Sequence, residues 1–276
     1  MPLSPEPQTP SNPADRYFAS GGAQLRYRDE GSGPAVLFLH GWTFDLEMWE
    51  PQVAALHGAF RVIRFDRRGF GLSTGRPGLE ADVTDIDALC RHLALSRIAL
   101  VGMSQGARAA LTFAQRRPEL LSCVVLDGPP DPSTANAESD VPIERYRAIA
   151  RSDGIAAVRR EWAQHPLVRT RTEDAQNIVM DMIARYPGAD LGPAAAPPVA
   201  VEPLGDPRSI VTACLIIVGK QDLPTRLRAA DELARQIAGA ERVLISAAGH
   251  LANLDNPPTY NTVLRAFLDR HAASTP

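Results

Sequence analysis

The pentapeptide Gly102-Met103-Ser104-Gln105-Gly106 constrains this chain more than any other segment. A short apolar run, Ile98–Val101, precedes it. A helical pattern follows, with Ala107, Ala110, Leu111 and Ala114 on one face. A few residues must therefore carry the chain from a buried strand straight into a helix. A β-carbon on either flanking glycine would crowd so tight a turn, and the residue at its apex is held in a strained backbone conformation. The helix start then offers free N–H groups and a positive dipole end to any negative charge that develops at Ser104. Glycine-x-serine-x-glycine recurs by chance, so the strand before and the helix after are what give it meaning. The bland alternative is a serine that caps a helix after a glycine turn.

The same rhythm of apolar run and helical pattern continues on both sides. Strands are expected at Tyr17–Ala19, Gln24–Asp29, Ala35–Leu39, Phe60–Phe65, Leu121–Leu126, Cys214–Val218 and Val243–Ile245. Val83, Ile86, Leu89, Cys90 and Leu93 mark one helix face. Asn256 followed by Pro257 reads as an N-cap with proline at the first helical position, ahead of Tyr260, Val263, Leu264, Phe267 and Leu268. Alternating strands and helices predict an α/β fold with a mostly parallel central sheet and helices on both faces. Between about Asp131 and Pro207 the rhythm stops. Amphipathic segments at Ile143–Ile149, Ile155–Trp162 and Ala175–Tyr186 precede a Pro/Ala-rich linker, Pro187 to Pro203. The expected organisation is a disordered tail over 1–13, a core of 14–130 and 208–276, and a helical cap inserted over 131–207.

Composition excludes several classes. With 45% hydrophobic and 22% charged residues in 276, the chain can bury a sizeable core. A formal net charge of −3 gives no pull toward nucleic acid or an anionic membrane. Met1–Pro13 lacks the basic start and apolar stretch of a secretory signal, and no apolar run is long enough to span a bilayer. The expected setting is cytoplasmic, and the expected partner is a small molecule, with the chain a monomer or homodimer. Cys90, Cys123 and Cys214 are odd in number, distant and in apolar segments, which reads as buried thiols rather than a disulfide framework or zinc site.

A serine hydroxyl needs a base that titrates near neutrality, and histidine supplies it. Of the six histidines, His250 alone sits in a glycine-flanked loop directly after the last expected strand, at the sheet edge where ligands bind. Its imidazole needs an acceptor on the other nitrogen. Asp222, in Gly219-Lys220-Gln221-Asp222, reaches the same edge. Asp127, in Leu126-Asp127-Gly128-Pro129, is the second candidate, with a turn carboxylate as its plain alternative. The catalytic set expected is Ser104, Asp222 and His250. An oxyanion would be held by the backbone N–H groups of Gln105 and of Trp42, the latter in the loop after Ala35–Leu39.

His40-Gly41-Trp42, Asp66-Arg67-Arg68-Gly69-Phe70-Gly71-Leu72-Ser73, Gly102-Met103-Ser104-Gln105-Gly106, Gly219-Lys220-Gln221-Asp222 and Gly249-His250, in this order and spacing, resemble the α/β-hydrolase superfamily. The likeness covers nearly all of the chain outside the tail and the cap. It implies the α/β-hydrolase fold, no metal and no organic cofactor, and a structural role for Asp66, Arg68 and Gly71. Serine at position 104 separates the chain from relatives with an aspartate nucleophile. Trp42-Thr43-Phe44 replaces the glycine run of hormone-sensitive-lipase-like members. The expected activity is acyl transfer to water from a small or medium, largely apolar ester or lactone. Phe44, Met103, Trp162, Leu167 and Met182 are the candidate pocket residues, each with core packing as its plain alternative. His165, Arg169 and Arg171 could meet a substrate carboxylate or simply be solvated. Two further readings stay open: C–C bond hydrolysis or cofactor-free perhydrolysis on the same triad, and a non-catalytic receptor for a small ligand.

Overall fold

The computed structural model describes residues 14–131, 140–192 and 205–272. The expected tail over 1–13 and the part of the expected linker from 193 to 203 lie outside them. Eight strands form one sheet in the order β1-β2-β4-β3-β5-β6-β7-β8. They are β1 (Arg16–Ser20), β2 (Ala23–Glu30), β3 (Ala35–Leu39), β4 (Arg61–Phe65), β5 (Ile98–Met103), β6 (Leu121–Asp127), β7 (Ala213–Gly219) and β8 (Glu241–Ile245). The first two pairings are antiparallel and all others parallel. Each expected strand is present; β4 begins one residue later than expected, and the others that differ are longer by one or two residues at an end.

The helices are α1 (Glu50–Leu56), α2 (Leu79–His92), α3 (Gln105–Arg116), α4 (Ile143–Ser152), α5 (Ile155–Trp162), α6 (Glu173–Arg185), α7 (Pro224–Gln236), α8 (Ala252–Asp255) and α9 (Pro257–His271). Asn256 caps α9 by accepting from the Thr259 N–H, with Pro257 at the first position. Side chains alternate across the central strands and split the core in two. Val36 and Phe38, with Val101, Val125 and Ile217, face one cluster that includes residues of α1 and α9. Leu37 and Leu39, with Leu100, Val124 and Ile216, face the other, which includes residues of α2, α3 and α7.

Between β6 and β7 the chain leaves the sheet for α4, α5 and α6. Their apolar faces join the first cluster through Tyr146, Trp162, Val179 and Met182. The segment expected as a plain linker from Pro187 is anchored where it is described. Leu191 is buried, and Asp190 accepts a hydrogen bond from the Trp42 indole at 2.7 Å. Composition alone hid this, because two residues in a Pro/Ala-rich run carry the attachment. No helix among the described residues is long and apolar enough to cross a membrane. The three cysteines are free and buried, and burial pushes each thiol up to about 12, so none is a ready nucleophile.

Candidate active site

Register brings the relevant residues to one rim. Leu39 pairs with Gly102, Met103 with Asp127, and Gly219 with Ile245, so the loops after β3, β5, β6, β7 and β8 all leave the carboxyl edge of the sheet. Ligands of open parallel sheets bind at this edge.

Ser104 sits at the apex of the β5–α3 turn with φ 53° and ψ −113°. Serine in this positive-φ region is strained, and strain of this kind persists only where the surroundings fix it. Here the Ser104 N–H is held by the Asp127 carbonyl at 2.7 Å. A β-carbon on Gly102 would lie 2.3 Å from the Gly106 carbonyl oxygen, and one on Gly106 would lie 2.6 Å from that of Leu39. Both glycines are required by backbone that cannot move aside. The Ser104 side chain makes no capping bond to its own helix. Its hydroxyl instead lies 3.0 Å from His250 Nε2.

His250 follows β8 on a loop braced against the Asp222 loop. Lys220 and Gln221 N–H groups donate to the carbonyls of Ile245 and Ala248. A β-carbon on Gly219 would meet the Gly249 carbonyl at 1.9 Å. His250 Nδ1 is 2.9 Å from Asp222 Oδ2, and both side chains are buried. Asp222 Oδ1 accepts from the Leu223 N–H at 2.7 Å. An Nδ1–H bond to a carboxylate leaves Nε2 with a lone pair directed at the Ser104 hydroxyl, the geometry of a base.

Asp127 is not part of this chain of contacts. Its carboxyl is fully buried and faces Tyr260, and burial pushes its pKa well above the usual carboxylate range, with the charge of Asp222 adding to the effect. Nor does its carboxyl cap backbone N–H groups of the turn, the plain alternative for it; the Asp127 contribution to the Ser104 N–H is its backbone carbonyl.

The backbone N–H groups of Trp42 and Gln105 donate to no other group among the described residues. Arg67, buried, braces both segments. Its guanidinium donates to the His40 carbonyl at 3.2 Å and to Gln105 Oε1 at 2.9 Å, and it pairs with Asp82 at 2.6 Å. His40 itself is locked: its Nε2 accepts from the Arg67 N–H and its Nδ1 lies 2.8 Å from the Gly41 carbonyl. Burial, then the Arg67 charge, lowers its pKa to about 3. Asp66 accepts from Arg26 and from the N–H groups of Leu46 and Leu72, and Arg68 pairs with Asp85.

A cleft of about 210 Å³ opens beside the imidazole, lined by Pro166, Arg169, Arg171, Gln221, Asp222, Leu223, Gly249 and His250. None of the five expected pocket residues lines it. Phe44, Met103, Trp162, Leu167 and Met182 are buried within the first core cluster, where packing accounts for them. Arg169 and Arg171 are exposed at the cleft, and Arg171 also donates to the Gln221 carbonyl at 3.4 Å. His165 stacks on Trp162 with ring centroids 4.5 Å apart. Burial is the main cause that lowers its pKa.

Sequence reading missed Asp190, the bracing role of Arg67, and Asp255. Asp255 accepts from the N–H groups of Gly249 and Arg171, tying the His250 loop to the insertion. No local pattern marks these residues, since each ties together segments that are distant in sequence.

Comparison with known proteins agrees with this architecture. A family model described as alpha/beta hydrolase fold matches residues 34–153. A 2-(acetamidomethylene)succinate hydrolase of Mesorhizobium japonicum is 42% identical over 38% of this chain and 39% of its own length. The 3-oxoadipate enol-lactonase 2 of Acinetobacter baylyi is 25% identical over 86% of this chain and 89% of its own. Among solved structures, the enol-lactonase from Burkholderia xenovorans superimposes with a TM-score of 0.79 at 27% identity, over 92% of this chain and all of that one.

Proposed function

Because the chain belongs to the α/β-hydrolase superfamily and is an enzyme of the hydrolase class, we propose that it cleaves a small or medium carboxylic ester or lactone through an acyl-enzyme on Ser104. The observation that carries the reading is the unbroken chain of contacts from Asp222 through His250 to the Ser104 hydroxyl, at 2.9 and 3.0 Å.

The chemistry follows from that chain. The Ser104 oxygen attacks the substrate carbonyl while His250 Nε2 takes its proton. The imidazolium so formed is stabilised by the Asp222 carboxylate. Negative charge moves to the carbonyl oxygen, to which the backbone N–H groups of Trp42 and Gln105 donate. His250 then protonates the leaving oxygen, the C–O bond breaks, and an ester remains on Ser104. Water, deprotonated by His250, repeats the attack and releases the acid.

The arginines on the cleft wall favour a substrate that carries a carboxylate near its reacting carbonyl. An anion placed between Arg169 and Arg171 would be oriented by charge-assisted hydrogen bonds. Pro166 and Leu223, the apolar residues of the cleft wall, would then meet the remainder of the acyl group.

The test is a panel of p-nitrophenyl esters, lactones with and without a carboxylate, a vinylogous diketone, and acetate with hydrogen peroxide, run on wild type and Ser104→Ala. Ester or lactone turnover that is lost in the variant supports the reading. Turnover confined to the diketone or to peroxide would assign the same three residues to another reaction.

A further inference from the structure

We propose that the helical insertion between β6 and β7 sets the oxyanion loop, and that Trp162 and Asp190 are positioning residues for the Trp42 N–H. The inference rests on the acyl-transfer reading above.

Three side chains of the insertion bond to residues 42–45. The Trp42 indole N–H donates to Asp190 Oδ2 at 2.7 Å. The Trp162 indole N–H donates to the Thr43 hydroxyl at 2.8 Å, buried from water. Arg185 donates to both oxygens of Asp45, at 2.6 and 3.1 Å. The Trp42 ring is also packed between aromatic groups of the insertion, 4.6 Å from Trp162 and 5.6 Å from Tyr146, centroid to centroid.

The loop needs such support. Thr43 has φ +67°, a region that a β-branched residue enters only when its surroundings hold it there. On its inner side the loop is already in contact with the nucleophile turn. A β-carbon on Gly41 would lie 2.7 Å from Met103 Sδ and 3.5 Å from Ser104 Cβ. The loop is thus packed close to the nucleophile turn while holding a strained residue. The bonds from Trp162 and Asp190 fix its outer side and so the position of the Trp42 N–H. Asp190 holds two donors at once, the Trp42 indole N–H and the Tyr186 hydroxyl. Asparagine keeps an oxygen for the Trp42 N–H and can donate its amide to the Tyr186 hydroxyl, so it is the milder change, whereas alanine removes both contacts.

The test compares wild type with Trp162→Phe, Asp190→Asn and Asp190→Ala on p-nitrophenyl acetate, with affinity for phenylboronic acid as a second readout. Loss of a whole oxyanion donor costs about 10²–10³ in kcat, so a loosened donor should cost about 5- to 50-fold with KM within about threefold. Asp190→Ala should lose more than Asp190→Asn, and boronate affinity should fall in parallel with kcat. Unchanged kcat, or a rise in KM alone, would mean that these groups only shape a binding wall, and would overturn the inference. If Trp162→Phe fails to fold, the half-buried Asp190→Ala, which removes the acceptor for the Trp42 indole N–H outright, decides the matter. Fluorophosphonate labelling separates the two levels. A wild type that labels at Ser104, with variants that turn over like it, removes the inference and leaves the reading. A wild type that neither labels nor hydrolyses any ester removes both.

Discussion

Replacing Asp222 by asparagine should cost more than the loss of one charge. Asp222 accepts two hydrogen bonds, from His250 Nδ1 and from the Leu223 N–H at 2.7 Å. The backbone N–H can only donate, so the single amide oxygen of an asparagine is drawn to Leu223. Its NH₂ group then faces His250 Nδ1, which must become an acceptor. The ring proton moves to Nε2 and points at the Ser104 hydroxyl 3.0 Å away. A base has been turned into a donor, with the fold unchanged. Forcing the wrong tautomer in a serine triad costs about 10⁴-fold in kcat, or about 5.5 kcal/mol of transition-state stabilisation. The assay is kcat and KM on p-nitrophenyl acetate at neutral pH, with circular dichroism and thermal melting to check the fold. Asp127→Asn is the control: burial already holds that carboxyl well above the usual range, and it contacts no member of the triad, so kcat should stay within about threefold of wild type. A loss below about 10-fold in Asp222→Asn, or a comparable loss in Asp127→Asn, would refute the assignment of the acid.

Other outcomes follow from the same structure. Gly102→Ala and Gly106→Ala place a β-carbon 2.3 and 2.6 Å from backbone carbonyl oxygens, so each should destabilise the fold by about 2–3 kcal/mol or more, read by urea denaturation. His40 has its pKa lowered to about 3, against about 6.5 when unfolded, so the unfolded chain takes up the proton first as pH falls. Its contribution is complete above about pH 6.5 and declines through the acid range at about 1.4 kcal/mol per pH unit. His40→Gln, which keeps an acceptor for the Arg67 N–H, should show a shallower acid slope of unfolding free energy; identical slopes would contradict this. Arg169→Ala should raise KM about 10-fold for a lactone or ester bearing a carboxylate and leave neutral esters unchanged, since a charge-assisted bond contributes about 1.5–3 kcal/mol.

What the sequence disclosed is what depends on near neighbours. The strand Ile98–Met103 is written as a continuous apolar run and the helix after it in period 3.6, and the turn between them needs its two glycines for reasons visible in five residues. Asp222 and His250 could be placed on one rim because each lies in a loop that follows a strand, and strand ends of a parallel sheet share a rim. The cleft could not be placed. Trp162, Leu167 and Met182 have the apolarity of a pocket wall, but the insertion needs the same side chains for its own core, and packing claimed them. Asp190 was read as part of a linker because its neighbours are proline, glycine and alanine; its attachment to Trp42, 148 residues away, leaves no local trace. Arg67 lay in view inside a turn motif, yet its reach to both His40 and Gln105 depends on how β4 lies beside β3.

The most direct measurement is the mass of the native protein after reaction with a fluorophosphonate, followed by peptide mapping. One phosphonyl group on the peptide containing Ser104, absent from Ser104→Ala together with ester turnover, is the predicted result. A label elsewhere on the chain, or a Ser104→Ala variant that hydrolyses esters at the native rate, contradicts it.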